Sequence, residues 1–509
     1  MKYIIALDQG TTSSRAVIFD QAGGVVASHN VEFQQLYPKP GWVEHRPQDI
    51  LDSQLRALKI AMEKSGVNAR SIAAIGIANQ RETTLLWERE TGKPLCNAIV
   101  WQCRRTAPLV ERLKRDGLGN MLRDRTGLIP DAYFSGTKLQ WMLDSIPNAR
   151  ARAERGELCF GTVDSFLAWN LTANHAHATD ATNAARTMLY NIYEQRWDDM
   201  LFNIRDQAWD DVLLRAMDIP RPLLPEVVDS SQVIGMLDKR ILGREIPVAA
   251  LAGDQHAALF GQGCFAPGSC KNTYGTGCFV LMNTGTTPVR SQNNLISTVA
   301  WRLNGKPRYA LEGSVFVGGA VIQWLRDELK LIESAADTEA IAASVPNNGN
   351  VYFVPAFTGL GAPYWDMYSR GTIVGLTRGS KRAHVVRAAL EAIAYQSADV
   401  IGAMAGDAGM KPTLLRVDGG ASANQFLMQF QADILGATVR RPRILEVTAL
   451  GAAMLAGRAV GIWNDAELGQ LLQPGREFVP NMSEAERHRL LRKWQRAVAC
   501  SRGWAQDDE

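Results

Sequence analysis

Residues Ile4–Asp20 read IIALDQGTTSSRAVIFD, and the fold turns on how this stretch is parsed. Ile4, Ile5, Ala6 and Leu7 form an apolar run of the kind a buried strand uses, and Asp8-Gln9-Gly10 breaks it. Arg15 to Phe19 resumes with β-branched and aromatic residues, so the chain turns back as a second strand. The tip between them is Gly10, Thr11, Thr12, Ser13 and Ser14. A glycine tip lets backbone N–H groups approach an anion closely, and hydroxyls add further donors. Asp8, at the end of the first strand, is placed to hold a cation beside that anion, as phosphoryl transfer requires. An ordinary polar hairpin has the same spacing, so the rest of the chain must decide between the two.

At 509 residues the chain is too long for one core, and two large α/β domains are expected, divided as 1–247 and 248–509. A hydrophobic content of 46% with 21% charged residues is that of a globular chain, and a net charge of +3 supplies no basic field for nucleic acid. No apolar run approaches the length needed to span a bilayer, and MKYIIALDQG lacks the pattern of a signal peptide. The seven cysteines are scattered with no CxxC pair, which reads as reduced thiols in a cytoplasmic protein.

Working outward, Val25 to Ala27 is expected to form a third strand, and Pro47 to open a helix with a Leu51, Leu55, Leu58, Met62 stripe ended by Gly66. Ile72 to Ile77 is a strand that delivers Asn79-Gln80-Arg81-Glu82-Thr83-Thr84 at its end, and Ala98 to Trp101 is another. Strand ends that present polar groups are where α/β folds place ligands. Trp-Asp-Asp occurs twice, at 197–199 and 209–211, as a tandem duplication in a surface region. The second half restates the first. Val248 to Ala252 is an apolar strand running into Gly253-Asp254-Gln255, where Asp254 also stands at a helix-cap position. Ser269 to Met282 is a second hairpin, with Gly275-Thr276-Gly277 at its tip. Arg416-Val417-Asp418 ends a further strand, and Gly419-Gly420-Ala421-Ser422-Ala423-Asn424 turns into a helix over 425–435, whose N-terminus could take an anion or the ribose–adenine end of a nucleotide. There is no GxxxxGK[ST] motif of the Walker type.

Taken together, LDQGTTSSR (7–15), PGWVEH (40–45), NQRETT (79–84), WQCRRT (101–106), YFSGTK (133–138), GDQ (253–255), NTYGTGCF (272–279) and VDGGASAN (417–424) resemble the FGGY carbohydrate kinases, which share the actin/hexokinase-like ATPase fold. The likeness runs from about Tyr3 to about Trp504, and NQRETT with WQCRR is similar to the glycerol kinases of that family in particular. The resemblance implies ATP-dependent phosphorylation of glycerol, with Mg²⁺. It implies that Arg81, Glu82, Tyr133, Asp254 and Gln255 bind the triol hydroxyls and that Trp101 and Phe279 face its carbons. Thr11, Thr12, Ser13 and Arg15 would form one phosphate loop and Thr276 another, with Gly319, Gln323, Gly420 and Asn424 at the nucleotide. Asp8 and Asp254 would serve the metal and Asp254 the proton transfer. A homodimer or homotetramer is the assembly the resemblance suggests. Leu242-Gly243-Arg244-Glu245 departs from the Gly-Thr-Arg loop with which some bacterial relatives bind a sugar bisphosphate, so that regulation is not carried over.

Overall fold

A computed structural model of the chain describes residues 1–192, 209–472 and 475–506. Two mixed sheets organise it. In the first, β1 (Tyr3–Gln9), β2 (Ser13–Phe19) and β3 (Val25–Glu32) form an antiparallel meander. Next to β1 lie β4 (Ile72–Asn79), parallel to it, then β6 (Pro247–Gly253), parallel to β4, and finally the antiparallel β5 (Ser231–Met236). The spatial order is therefore β5-β6-β4-β1-β2-β3.

The second sheet repeats this plan. Strands β7 (Cys270–Tyr274), β8 (Cys278–Gly285), β9 (Ile296–Leu303), β10 (Lys306–Val315), β11 (Leu414–Asp418), β12 (Thr438–Arg441) and β13 (Arg476–Phe478) lie in the order β9-β10-β8-β7-β11-β12-β13. Both halves thus contain a hairpin whose first strand is flanked on its other edge by two parallel strands. In such sheets the strand ends and the turns leaving them gather at one edge.

Helices cover the sheets where the sequence is apolar. Helix α1 (Pro47–Ser65) begins with proline in its first turn and ends at Gly66, φ 62°. Its buried residues include Ile50, Gln54, Ala57, Leu58 and Ala61; of the expected stripe Leu58 is buried, and Leu51, Leu55 and Met62 pack partly buried against the same core. Helix α2 is Ser135–Ser145, α3 Asp254–Gly261, α4 Ala320–Asp327, α5 Arg382–Ala408, α6 Gln425–Leu435 and α7 Val447–Ala459. One face of the second sheet, including Tyr274, Val280 and Met282, is buried against α5 and α6. Among the described residues no helix is long and apolar enough to cross a membrane.

Several expectations need correction. The division at 247/248 is wrong for the sheets: β6 belongs to the first, pairing Leu251 with Ile77 and Gly253 with Asn79. An apolar run buried on both faces carries no mark of which parallel neighbour it will join. Likewise α7, near the end of the chain, lies on the first sheet, where a Cβ at Gly76 would fall 2.2 Å from the Ala452 carbonyl oxygen. The same helix meets α3 at Gly451, where a Cβ would fall 1.8 Å from the Ala257 carbonyl oxygen. Only glycine permits either approach. The strand expected over 98–101 spans only Ala98–Ile99. Of the Trp-Asp-Asp duplication, the first copy lies outside the described residues. The second reaches the surface only at Asp211: Trp209 is buried, its indole N–H donating to the Pro225 carbonyl at 2.8 Å, and buried Asp210 caps the short helix Asp211–Ala216.

Candidate active site

The first hairpin is tied to the end of β4. Gln80 donates its side-chain amide to the carbonyl of Gly10 at 2.9 Å and to Gln9 Oε1 at 3.1 Å, which sets Arg81 and Glu82 beside the Gly10–Ser14 tip. Thr11 Oγ1 accepts from Trp101 Nε1 at 2.9 Å, and Trp101 meets Tyr133 edge to face with ring centroids 5.6 Å apart. Thr12 is exposed at the tip, with Ser13 half-buried beside it.

Glu82 adopts φ 59°, a left-handed conformation uncommon for a non-glycine residue. Its carbonyl accepts from Thr84 Oγ1 at 3.0 Å, Ser135 Oγ at 3.0 Å and Lys138 Nζ at 3.2 Å, which over-determines the bend. Lys138 also donates to the carbonyl of Tyr133, and burial lowers its ammonium pKa to about 7.

Asp254 is the first residue of α3; Gly253, not Asp254, occupies the cap position. Asp254 Oδ1 lies 3.1 Å from Arg81 Nε, and the stem of Arg81 lies so close over Gly253 that a Cβ there would meet Arg81 Cγ and Cδ at 2.7 Å. Arg81 directs its terminal nitrogens at Glu312 of β10, at 2.6 and 3.0 Å, a bidentate pair with both side chains buried. Arg186, also buried, donates from Nε to Glu82 Oε1 at 2.5 Å and from both terminal nitrogens to Glu312 at 3.3 Å. Gln255 accepts from the buried Lys271, which donates also to Thr273 Oγ1 at 2.8 Å.

Phe279 is half-buried on β8, in register with Thr273 on one side and Ser314 on the other. It therefore shares a sheet face with Lys271 and Glu312, two residues away along their strands. His256 is buried beside Arg81, and desolvation, reinforced by Arg81, keeps its imidazole neutral with a pKa well below the usual range.

Asp8 closes the first lobe's part of the site. Its carboxyl is raised to about 7: burial is the main cause, Arg15 opposes it, and the neighbouring Asp254 and Glu446 add to the rise. Arg15 is itself paired with Glu446 at the head of α7, so the guanidinium expected at the phosphate loop has a resident carboxylate partner.

In the second lobe the tip is bound to the start of α4: the Gly275 carbonyl accepts from Gly319 N at 2.8 Å, and that of Thr276 from Gly318 N at 2.8 Å. Thr276 and Gln323 are exposed, while Gly319 caps α4. The next strand end lies alongside, Thr273 being in register with Asp418, and Gly419, φ 86°, lies so close to the Tyr274 carbonyl that a Cβ would fall 2.5 Å from it. Gly420 follows, exposed. The N-terminus of α6 is not open to an anion as expected. Asn424 Oδ1 accepts from Leu427 N at 2.9 Å, its amide donates to Thr338, and Glu339 accepts from Gln425 N at 2.7 Å.

Arg81, Glu82, Trp101, Tyr133, Asp254, Gln255 and Thr11 are thus joined by a continuous set of contacts, and Thr276, Gly319 and Gly420 lie on neighbouring loops at the matching edge of the second sheet. Sequence reasoning missed Arg186, Glu312, Lys138 and Lys271. The available signal was a charged residue inside an apolar element, as Glu312 is between Leu311 and Gly313 of β10.

A family model described as the FGGY family of carbohydrate kinases, N-terminal domain, matches residues 3–202 and 199–261, and its C-terminal counterpart matches 270–460. The chain belongs to the FGGY carbohydrate kinases. The first match is split inside the Trp-Asp-Asp duplication, and the junction between the two models falls at 262–269, after β6 and α3. Among other members of the FGGY family, glycerol kinase 2 of Thermotoga maritima is 57% identical over 505 residues, covering 99% of each chain. The glycerol kinase of Caldanaerobacter subterraneus is 57% identical over 507 residues, 99% of this chain and 100% of the relative. The crystal structure of Plasmodium falciparum glycerol kinase with ADP superposes with a TM-score of 0.90 at 35% identity, covering 98% of each chain.

Proposed function

We infer that this FGGY kinase transfers the terminal phosphoryl group of ATP to glycerol, forming sn-glycerol 3-phosphate. The observation that carries the reading is the convergence of Arg81, Glu82 and Asp254 with Trp101 and Tyr133 beside the Gly10–Ser14 tip. A small triol offers little apolar area, so its affinity comes from directed hydrogen bonds in a shielded pocket. Arg81, Glu82, Tyr133, Asp254 and Gln255 supply donors and acceptors for the hydroxyls, while Trp101 and Phe279 flank the carbons. The reacting alcohol keeps its proton near neutral pH, and Asp254 accepts it as the O–P bond forms, an assistance worth about 10²–10⁴-fold. Thr11, Thr12, Ser13 and Arg15 on one side and Thr276 on the other hold the phosphates. Gly319, Gln323, Gly420 and Asn424 hold the nucleoside end.

The donor set suits Mg²⁺. Asp8 is a carboxyl pushed up by burial and by its acidic neighbours, an environment that a divalent cation would relieve, and Mg²⁺ is commonly held by one or two carboxylates together with substrate phosphates. Asp8 and Asp254 would hold it, and bound there it would offset charge on the transferring group. Among the described residues no group of three or more His, Cys, Asp or Glu side chains is arranged to hold a metal by itself, in keeping with an ion shared with the nucleotide.

Turnover on glycerol, xylulose and gluconate in parallel tests the assignment. Glycerol is expected to give by far the highest kcat/KM; preference for either alternative would overturn it. The resemblance to its relatives also implies a cytoplasmic homodimer or homotetramer, which light scattering of the purified chain reads directly.

A further inference from the structure

Arg186 and Glu312 belong to none of the motifs that carry the resemblance, yet they occupy the centre of the ionic network. We propose that Glu312 is a positioning residue, which fixes the acceptor-binding Arg81 to the lobe that carries the nucleotide loops and, through Arg186, orients Glu82. The proposal rests on the glycerol reading given above and adds to it the group that couples the two halves of the site.

The geometry supplies the first argument. Arg81 uses all of its nitrogens in two directions: Nε to Asp254, and both terminal nitrogens to Glu312. A guanidinium held by a bidentate carboxylate has almost no freedom left, since its planar fork fits in one orientation. Glu82 is treated the same way at one remove: Arg186 reaches its carboxylate from Nε while its terminal nitrogens face Glu312. One carboxylate therefore sets the orientation of two acceptor-binding side chains.

Energetics supply the second. Glu312 and Arg186 are wholly buried, with 0% of either side chain exposed, and Arg81 shows 2%. Removing such charges from water costs several kcal/mol per ion, and well-packed apolar residues often stabilise a fold equally well. The two arginines and two glutamates balance in charge, and Asp254, 29% exposed, is the most accessible carboxylate that they adjoin. Burial alone would raise the Glu312 carboxyl, but Arg186 and Arg81 hold it well below the usual range, so it remains an anion.

Placement supplies the third. Glu312 lies on β10, and three residues later the carbonyl of Val315 sits where a Cβ on Gly277 would fall 2.5 Å away. The strand that grips Arg81 thus also backs the Gly275–Gly277 tip. A displacement of the second sheet relative to the first would move Arg81 away from Asp254, and the pair would transmit it directly.

The test is Glu312→Asp, which keeps the charge but withdraws it by one methylene, with Glu312→Gln as the uncharged isostere. Steady-state kinetics are taken with glycerol and ATP varied separately, beside wild type, with ADP titration and unfolding temperature measured on each protein. For Glu312→Asp, KM for glycerol is expected to rise at least about tenfold and kcat to fall by up to about 10²-fold, the scale of a 1 Å misplacement, with KM for ATP within about twofold. Glu312→Gln should lose more in the same direction; if it does not fold, Glu312→Asp decides alone. Glycerol parameters unchanged in Glu312→Asp, or KM for ATP rising in step with that for glycerol, would overturn the proposal. A wild type lacking glycerol-dependent turnover would instead refute the glycerol reading itself.

Discussion

The two hairpins share a topology and differ in what their tips are fastened to. The tip at Gly10–Ser14 is tied by Gln80 and Trp101 to the residues proposed to hold the acceptor. The tip at Gly275–Gly277 is tied by its carbonyls to the first amides of α4, and it lies beside the Gly419 loop. On the proposed assignment both tips hold the phosphates, the first beside the acceptor residues and the second beside the nucleoside end. The lesson is that a duplicated frame specialises through the side chains and loops fastened to its turns, while the strands stay alike.

The largest test of that division is Asp254→Asn, which should lower kcat by about 10²–10⁴-fold in a steady-state assay while leaving ATP binding intact. Near-normal turnover would remove Asp254 from proton transfer. Next comes Gly277→Ala. Its Cβ would fall 2.5 Å from a backbone carbonyl, whereas at Gly10 the nearest atom would be 3.2 Å away. Gly277→Ala is therefore expected to raise KM for ATP by about tenfold or more, with Gly10→Ala clearly milder. Equal effects would undo the contrast between the tips.

Smaller again is Thr11→Val, which removes the acceptor for the Trp101 indole N–H. Losing one such partner costs about 1–3 kcal/mol where the donor is buried, and half-buried Trp101 puts the effect near the low end. Because Thr11 stands both in the proposed phosphate loop and against Trp101, the change should raise KM for ATP and KM for glycerol together.

The last test is on stability and concerns Lys138. Its pKa is about 7 in the fold against an ordinary value of 10.5. Between those values the unfolded chain binds the proton and the folded chain does not, so this group makes stability rise with pH, by at most about 1.4 kcal/mol per unit. Urea unfolding at pH 7 and pH 9.5 should show that rise in wild type and a flatter response in Lys138→Met.

Local features are legible in the amino-acid sequence itself. The first hairpin, the helix at 425–435 and the polar strand end at 79–84 follow from periodicity, glycine placement and capping, all of which act within a few residues. What escapes such reading depends on distance along the chain. Arg81 and Glu312 are 231 residues apart, and Arg15 and Glu446 are 431 apart, so neither partner can be named from local pattern. The placement of β6 and α7 on the first sheet is hidden for a related reason. Apolar strands and glycine-containing helices specify that they are buried but not against what. The α6 N-terminus reads as an anion site because its occupant, Glu339, comes from a helix 86 residues earlier.

A single reaction vessel, scored for both ADP and sn-glycerol 3-phosphate, tests the central claim most directly. The account predicts that the two products form in equal amounts, and only when glycerol is present. ADP released at the same rate without glycerol, or without a phosphorylated triol to match it, would contradict it.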